Sequence, residues 1–248
     1  MLLKKSLFIN TILSCFFLTG GLAGVCHAAE NHIPRDSIKN IKQQLKGKKT
    51  IQLFNGKNLK GWYSYLQYQG KNKDTGNVFM VKNHELHISG KEAGYIATND
   101  TFKNFHLIAE FKWGNKKYPP RENDKRDNGI LYFVSDTAAD KVWPACIEYQ
   151  VQEGDSGDFW LISGATIEVD GSRTQPGEYV RVIKKADAEK PHGEWNRLEI
   201  IVSNNKLTHI MNGIIVNEAF NPNMNTGRIL VQSEYAETIY RKIELIKL

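Results

Sequence analysis

The stretch Trp195–Phe220, WNRLEIIVSNNKLTHIMNGIIVNEAF, decides the fold class of this chain. Three runs rich in β-branched and other apolar residues are separated by two turn sequences, Asn204–Asn205 and Asn212–Gly213. Asparagine and glycine tolerate the positive φ angles that a type I′ hairpin turn requires. The stretch therefore predicts a three-stranded antiparallel meander.

Strand patterns also fill most of the chain on either side of this meander. They are IQLF, VFMV, ELHIS, GYIAT, FHLIAEFKW, NGILYFV, IEYQVQE, RILVQS and TIYRKIELI, with Gly, Asn, Asp and Pro clusters between them. No long helical period separates them, which disfavours alternating strand and helix units. One short helix is predicted at Asp36–Lys46, where Ile38, Ile41 and Leu45 share a face. About a dozen strands in one domain need two packed sheets to bury their apolar faces, so we predict an all-β jelly-roll β-sandwich with this one short helix.

Residues 1–28 have the pattern of a secretory signal peptide. Lys4 and Lys5 precede an uncharged apolar stretch, and Ala28 ends a short run of residues that suits cleavage. A membrane anchor is the alternative because the apolar stretch is near spanning length, although its glycines and the lack of a following basic stop oppose it. Lipidation of Cys26 is disfavoured by the bulky Val25 before it. Export to the periplasm or the medium is expected, without stable membrane insertion after cleavage.

The remaining chain is predicted to form a polar leader with the short helix at residues 29–49 and one β domain at residues 50–248. Of three cysteines only Cys146 lies outside the signal peptide, so no internal disulfide is expected, and Cys146 is predicted to be a small buried hydrophobe. The formal net charge of +6 is modest and spread along the chain. Because the basic clusters lack interleaved aromatic residues except Trp113, a solvated face is favoured and nucleic acid is not an expected partner.

The segment Trp143–Trp160, WPACIEYQVQEGDSGDFW, has the composition of a carbohydrate site. It contains four acidic residues and two tryptophans together with amide and hydroxyl side chains. Its first half alternates between apolar and polar residues, and a strand directs alternate side chains to opposite faces. The prediction is a core face and a face turned to solvent or substrate, formed by Ile147, Tyr149 and Val151 and by Glu148, Gln150 and Gln152, respectively.

Glu148, Gln150 and Glu153 resemble the Glu, Asp, Glu signature of laminarinase-like β-glucanases. There the first carboxylate is the nucleophile and the last is the acid, about 5 to 5.5 Å apart in a retaining pair. Glu148, Gln150 and Glu153 lie on the same face of a strand only if a β-bulge inserts one residue between Gln150 and Glu153. Gln150 stands where that signature has an aspartate, which weakens the β-glucanase hypothesis. The acidic turn at Glu153, Asp155 and Asp158 is alternatively a calcium site or an ordinary solvated turn.

The strand predicted at Phe105–Trp113 adds another acidic candidate. Phe105, Leu107, Ala109 and Phe111 would face the core, which leaves Glu110 on the opposite face. Glu110 is therefore a candidate cleft carboxylate. An ordinary solvated sheet face is the alternative.

Residues from Thr50 to Leu248 resemble the 3-keto-disaccharide hydrolase domain family of exported bacterial proteins. The matching motifs occur in order: LFNGKNLKGW, FHLIAEFKW, RDNGILY, VWPACIEYQVQEGDSGDFW, PHGEWNRLEI, HIMNGIIVNEA and GRILVQSE. The resemblance implies a concanavalin-like jelly roll that acts on glycosides already oxidised at C3, or on related sugars. An oligosaccharide or an oxidised glycoside is thus the expected partner.

The chemistry that this resemblance implies needs a base, an enolate stabiliser and a leaving-group acid. A ketone at C3 acidifies the C2 proton, so that a base forms an enolate which expels the C1 substituent, and water then adds. Glu148 and Glu153 are the candidates for base and acid, in either order, and Asp158 is a further acid candidate. Gln150 would orient substrate hydroxyls or donate to the oxyanion. A divalent cation, calcium or a transition metal, is a candidate Lewis acid without assigned ligands.

Further residues are candidates for substrate contacts. Trp143 and Trp160 would offer aromatic faces to sugar C–H groups, with core packing as the alternative for each. The candidate polar contacts are Glu110, Asp127, Asn128, Lys141, Gln232 and Glu234. A non-catalytic carbohydrate-binding module is the alternative function, because it would show the same sandwich, aromatic residues and polar cleft.

Overall fold

A computed structural model describes residue 45 and residues 47–248 of the chain. The predicted signal peptide lies outside the described residues, as does the predicted helix at Asp36–Lys46 apart from Leu45. Every regular element in the described part is a β-strand. The strands are β1 (Thr50–Gln52), β2 (Trp62–Leu66), β3 (Gly70–Lys71), β4 (Phe79–Lys82), β5 (Glu85–Ile88), β6 (Gly94–Thr98), β7 (Phe105–Lys117), β8 (Asp127–Val134), β9 (Cys146–Gln152), β10 (Phe159–Ile162), β11 (Glu168–Val169), β12 (Ser172–Arg173), β13 (Tyr179–Val182), β14 (Asn196–Ser203), β15 (Lys206–Met211), β16 (Ile214–Phe220), β17 (Arg228–Ser233) and β18 (Ala236–Lys247).

The strands form two antiparallel sheets. The ten-stranded sheet has the order β12-β11-β16-β15-β14-β7-β18-β5-β4, with β1 paired to β18. The eight-stranded sheet has the order β13-β10-β9-β8-β17-β6-β2-β3. Neighbours along the chain often lie in different sheets, as β7 and β8 do, which is typical of a jelly roll. The predicted all-β sandwich is confirmed.

The predicted meander is the run β14-β15-β16 in the ten-stranded sheet. Asn204 and Asn205 connect its first two strands with φ angles of 49° and 63°. Asn212 and Gly213 connect the next two with φ angles of 49° and 83°. Two consecutive positive φ angles are the requirement of a type I′ turn, so the turn residues fix this part of the topology.

The main core lies between the two sheets. Ile147, Tyr149 and Val151 of β9 face it and are fully buried. The predicted core face of β7, comprising Phe105, Leu107, Ala109 and Phe111, is also fully buried. Alternation therefore leaves the other side chains of β9 on the outer face of the eight-stranded sheet, and those of β7 on the outer face of the ten-stranded sheet.

A second apolar cluster covers part of the outer face of the eight-stranded sheet. Cys146 is buried in it with Leu131 and Leu230, as its apolar neighbours predicted, and Trp143 and Trp160 pack against it. The segment 135–145, which connects β8 to β9, carries Trp143. This segment is fixed by Asp140, whose carboxylate accepts hydrogen bonds from three donors: Tyr95 Oη at 2.7 Å, Tyr63 Oη at 2.8 Å and Lys71 Nζ at 2.9 Å.

Several strands of the eight-stranded sheet lack the patterns that predict strands. The sequence FWLI of β10 does not alternate between apolar and polar residues, because both of its faces are covered. Phe159 faces the core, while Trp160 and Ile162 pack on the outer apolar cluster. The sequence YVRV of β13 lies at a sheet edge and is half exposed.

In the part of the chain that the structure describes, there is no helix with the length and apolar character needed to cross a membrane.

Candidate functional site

A cleft of about 490 Å³ opens on the outer face of the eight-stranded sheet. Three aromatic side chains contribute to its walls, and acidic and amide side chains contribute the polar groups. The lining residues are Arg121, Asp127, Trp143, Glu148, Gln150, Gln152, Trp160, Ile162, Tyr179 and Glu234. An apolar cavity with a few convergent polar groups is the usual form of a small-molecule site.

The regular pairing of β9 brings the polar side chains of this cleft together. Glu148 pairs with Trp160 of β10, and Gln152 pairs with Asp127 of β8. Directly paired residues project on the same side of a sheet, so these four side chains share the outer face. The pairing continues without a shift to Gln152. The bulge that would have placed Glu153 on this face is therefore absent from β9.

Gly129 creates the space in which the Glu148 carboxyl lies. A Cβ atom at this position would lie 1.9 Å from Glu148 Oε1 and 2.3 Å from Gln232 Oε1. Any side chain at residue 129 would therefore displace both groups. Glycine is required here because two side chains from the flanking strands occupy the volume that its own side chain would fill.

The surroundings of the Glu148 carboxyl favour its protonated form over its ionised form. Its side chain is buried, and this loss of solvation raises its pKa well above the ordinary glutamate value. The negative charges of Glu234 and Asp127 raise the pKa further. A buried carboxyl with a raised pKa is suited to proton transfer near neutral pH, because it can be protonated there and is a stronger base once ionised.

Arg121 supplies positive charge to the cleft. Its guanidinium forms ion pairs with Asp127 Oδ2 at 2.7 Å and with Glu234. Burial raises the pKa of both carboxyls, while Arg121 opposes that change. Arg121 thus holds two carboxylates side by side at the cleft wall and leaves Glu148 as the third, separate acidic group.

The two glutamines of the cleft hold Asp127 from the other side. Gln152 Nε2 donates to Asp127 Oδ2 at 2.6 Å, and Gln150 Nε2 donates to Asp127 Oδ1 at 3.2 Å. Asp127 is therefore a structural acceptor at the centre of the site. Gln150, predicted to contact substrate or an oxyanion, lines the cleft and donates one of its amide hydrogens to Asp127.

Glu153 is not part of the cleft, contrary to its predicted pairing with Glu148. It follows the last residue of β9 and binds Arg126, with Nη1 at 3.0 Å from Glu153 Oε1 and the backbone N–H of Arg126 donating to Oε2 at 3.1 Å. His192 Nδ1 lies 3.5 Å from the same carboxylate. The two glutamates occupy different environments because regular strand pairing turns residue 153 away from the face that carries residue 148.

Asp158 is also outside the cleft, so the prediction of an acid role there does not fit its position. Its side chain is fully buried. It accepts hydrogen bonds from Arg181 Nε at 2.6 Å and from the backbone N–H of Lys184 at 2.7 Å. Asp158 therefore joins β13 and the segment after it to β10.

Three predicted substrate contacts point elsewhere. Glu110 lies on the outer face of the other sheet, beside Arg241. Asn128 faces the core, where its Oδ1 accepts a hydrogen bond from Tyr240 Oη at 2.8 Å. Lys141 is exposed on the segment before β9, and its Nζ lies 3.4 Å from Ser163 Oγ. Strand alternation assigns Asn128 and Asp127 to opposite faces, so only Asp127 reaches the cleft.

The cleft brings together Glu148, Gln150, Asp127, Glu234, Trp143 and Trp160 from the predicted set, and Gln232 adjoins it through Gly129. Arg121, Tyr179 and Gln152 were not predicted as site residues. Gln152 carried a usable signal, because it shares the alternation of Glu148 and Gln150. No sequence pattern marked Arg121 or Tyr179. Arg121 lies in the loop after β7 and Tyr179 in the edge strand β13, and only the fold brings these elements to the cleft.

The described residues contain no group of three or more His, Cys, Asp or Glu side chains arranged to hold a metal ion. Asp127 and Glu234 are the adjacent carboxyl groups of the cleft, and both are already paired with Arg121. We therefore assign no ligands here to the divalent cation considered from the sequence, and no step of the chemistry is derived through it.

The fold places this chain in the class of jelly-roll β-sandwich proteins, of which two solved examples are similar to it. A protein from Parabacteroides distasonis provisionally named a glycosyl hydrolase has a TM-score of 0.58 at 17% identity, covering 80% of this chain and 94% of that one. A β-glucanase from Bacillus licheniformis has a TM-score of 0.51 at 11% identity, covering 82% and 98%. These likenesses establish the fold.

The chain belongs to the family of 3-keto-alpha-glucoside-1,2-lyase-like domains, whose model matches residues 49–246. A 3-keto-disaccharide hydrolase from Bacteroides thetaiotaomicron is 25% identical over 179 residues. The match covers 65% of this chain and 55% of that relative, so the chain spans about half of its length. Membership of this family confirms the resemblance predicted from the ordered motifs.

Proposed function

We propose that this protein cleaves glycosides that carry a ketone at C3, by elimination followed by hydration. The observation that carries the proposal is the buried Glu148 carboxyl, which lies in an aromatic-walled cleft with its pKa raised. Family membership and the 3-keto-disaccharide hydrolase from Bacteroides thetaiotaomicron support the choice of substrate class.

The reaction begins when ionised Glu148 takes the proton from C2 of the substrate. The electrons of the C2–H bond form an enolate with the C3 ketone, and Arg121, the cationic residue that lines the cleft, would stabilise the developing oxyanion. The enolate then expels the C1 oxygen, which takes up a proton as it leaves. Addition of water to the resulting enone places a hydroxyl at C1 and returns a proton to C2, so the net change is hydrolysis.

Glu234 is the candidate for protonating the leaving oxygen. Its pKa is raised by burial and by Asp127, which favours the protonated state that an acid needs. It replaces Glu153 in this role because Glu153 does not line the cleft. Trp143, Trp160 and Tyr179 would hold the sugar rings by their faces.

The test is turnover of a 3-keto-glucoside in D₂O, with the parent glucoside as the matched control. Elimination and hydration incorporate deuterium at C2 of the released sugar, whereas direct hydrolysis at C1 leaves the C2 proton in place. Release with deuterium from the oxidised substrate alone supports the proposal. Release without deuterium would contradict the mechanism, and binding without any release would favour the carbohydrate-binding module instead.

Cleavage of unoxidised β-glucan would favour the laminarinase-like alternative. The geometry gives that alternative little support, since Glu153 is bound to Arg126 outside the cleft and Gln150 occupies the central position.

Export remains a prediction from the N-terminal sequence. N-terminal sequencing of the protein isolated from its natural host tests it, with a first residue after Ala28 as the expected result.

A further inference from the structure

The side chains of Gln232 and Glu148 meet in the space above Gly129. They come from β17 and β9, the two strands that flank β8. The position where a Cβ of residue 129 would lie is within 2.3 Å of an oxygen atom from each of them. Both side chains are almost fully buried, with 3% of Gln232 and 4% of Glu148 exposed. The ends of the two side chains therefore share one small volume at the edge of the cleft that Glu148 lines.

The Gln232 amide is available to hydrogen bond with Glu148. Its Oε1 atom is buried and has no hydrogen-bond partner among the described residues. A buried amide left unpaired is costly, and the Glu148 carboxyl is the neighbour able to relieve that cost. An amide carries an acceptor oxygen and a donor NH₂, which exchange places when the group rotates by half a turn.

This dual character suits a carboxyl that changes its protonation state. Protonated Glu148 would donate its O–H to the amide oxygen, and ionised Glu148 would accept from the amide nitrogen. A cationic side chain at residue 232 would match only the ionised state. A neutral amide serves both states without adding charge to a cleft that already holds several acidic groups.

The backbone of Gln232 is anchored from the core. Asn128 Nδ2 donates to the backbone oxygen of Gln232 at 2.6 Å, and Tyr240 Oη donates to Asn128 Oδ1 at 2.8 Å. Tyr240 belongs to the ten-stranded sheet, so the chain of hydrogen bonds crosses the sandwich. The anchor fixes where the Gln232 side chain starts and does not involve its terminal amide.

The other groups that influence Glu148 are charged or acidic. Asp127 comes from β8, Glu234 follows β17, and the Cys146 thiol lies on the same strand as Glu148. Arg121 is bound to Asp127 and Glu234. Asp127 and Glu234 can donate to Glu148 only when they are protonated, whereas an amide can donate and accept without a change of charge.

We propose that Gln232 is a positioning residue that keeps the Glu148 carboxyl hydrogen-bonded, and so correctly oriented, in both of its protonation states. The inference rests on the proposed function of Glu148 in proton transfer. Asn128 and Gly129 support this role of Gln232. Asn128 anchors the backbone of Gln232, and Gly129 leaves room for the Gln232 side chain to contact Glu148.

Two substitutions test the proposed role of Gln232, each with a matched control on the other sheet. Gln232→Met keeps the length of the side chain and removes both hydrogen-bonding ends, whereas Gln232→Glu places a second carboxyl above Gly129. Gln52→Met and Gln52→Glu make the same chemical changes at an exposed position of β1. The measurements are kcat and KM across pH, and the titration of Glu148 by ¹³C NMR of the labelled carboxyl, assigned by its loss in Glu148→Gln.

Gln232→Met is expected to lower kcat about 10-fold with KM changed less than about 2-fold, because orientation is lost while the cleft walls remain. Gln232→Glu is expected to move the Glu148 titration upward by about one pH unit or more, because two adjacent carboxyls resist joint ionisation. Unchanged kcat in Gln232→Met, or an unmoved titration in Gln232→Glu, would overturn the inference.

The NMR titration separates this inference from the proposed function, because it needs no substrate. Absence of turnover in the unsubstituted protein would contradict the proposed function alone. An upward shift in Gln232→Glu would still support contact between the two side chains in that case. Thermal unfolding of each variant identifies any change that arises from a damaged fold.

Discussion

Glu148 and Glu110 occupy equivalent places in the two sheets, and their surroundings are opposite. Each lies on the outer face of a central strand, β9 or β7. Glu148 pairs laterally with Trp160 and Leu131, whereas Glu110 pairs with Arg197 and Lys242. The residue types on the neighbouring strands therefore decide whether an outward-facing glutamate meets aromatic and apolar groups or cations.

The consequence appears in the proton affinity of the two carboxyls. Burial acts to raise the pKa of Glu110, but the Arg241 hydrogen bond and the nearby cations outweigh it and lower that pKa. For Glu148, burial and two carboxylate neighbours all raise the pKa. The comparison teaches that position on a strand turns a glutamate away from the core, and that neighbouring strands decide whether its pKa is lowered by cations or raised by burial and acidic neighbours.

The largest expected effect comes from substituting the two glutamates and measuring turnover of a 3-keto-glucoside. Glu148→Gln should lower kcat/KM by about 10² to 10⁴-fold, the usual contribution of a general acid or base. Glu110→Gln should stay within about 2-fold of the unsubstituted protein, because Glu110 does not line the cleft. Equal losses of kcat/KM in both variants would show that the cleft position of Glu148 gives it no special role in turnover.

Gly129→Ala should have the next largest effect. The added methyl group would overlap Glu148 Oε1 and Gln232 Oε1 and push both side chains away. A shift of about 1 Å in a reacting group can cost about 100-fold, so we expect kcat to fall roughly 10- to 100-fold. Gly76→Ala, next to open space with Val78 Cγ2 4.0 Å away, is the matched control. Full activity in Gly129→Ala would show that the Glu148 position is not critical.

The stability of Glu148→Gln should exceed that of the unsubstituted protein at neutral pH. A raised pKa in the folded state contributes stability that is fully present below the unfolded value of about 4.3 and is lost as pH rises through the folded value. The neutral amide avoids that loss, and we expect a gain of roughly 1 to 3 kcal/mol. Urea unfolding from pH 4 to pH 8 measures it, and a gain that does not grow with pH would argue against a raised pKa.

Trp160→Ala should raise KM for the sugar substrate about 10-fold, which corresponds to about 1.4 kcal/mol of binding free energy. Trp160 lines the cleft beside Glu148. Trp195→Ala is the matched control, because Trp195 lies among Lys112 and Arg241 on the face that carries Glu110. Calorimetric titration with a non-reacting sugar checks the difference. Equal affinity in both variants would mean that Trp160 only packs.

Glu110→Gln should give the smallest effect, with the opposite pH dependence to Glu148→Gln. A lowered pKa contributes stability that is present above the unfolded value of about 4.3 and is lost as pH falls through the folded value. The variant should therefore lose up to about 1 kcal/mol at pH 7, a modest amount because its partners are partly exposed, and lose less in acid. The same urea series checks it, and a loss that grows as pH falls would contradict this assignment.

Much of the architecture could be predicted from local sequence. The asparagine and glycine turns fixed the meander β14-β15-β16, and two-residue alternation assigned the core faces of β7 and β9. The strands β10 and β13 could not be predicted, because FWLI is covered on both faces and YVRV lies at an edge. Neither environment leaves a periodic signal in the sequence.

The site was predicted in part for the same reason. Alternation put Glu148, Gln150 and Gln152 on one face, but spacing alone also admitted Glu153, which regular strand pairing directs elsewhere. Asn128 and Asp127 looked equivalent in sequence and face opposite sides of β8. Arg121 was unpredictable because it approaches from the loop after β7.

By itself the sequence determined that this is an all-β protein of a particular family, and that Glu148 points away from the core. Those properties depend on turn chemistry, on a two-residue period and on ordered motifs, all of which are written along the chain. Only the tertiary structure decided that Glu148 lies above Gly129 beside Gln232, Asp127 and Glu234, while Glu110 meets arginines. The physical reason is that proton affinity depends on burial and charge within a few ångströms, and strand pairing supplies both from distant parts of the sequence.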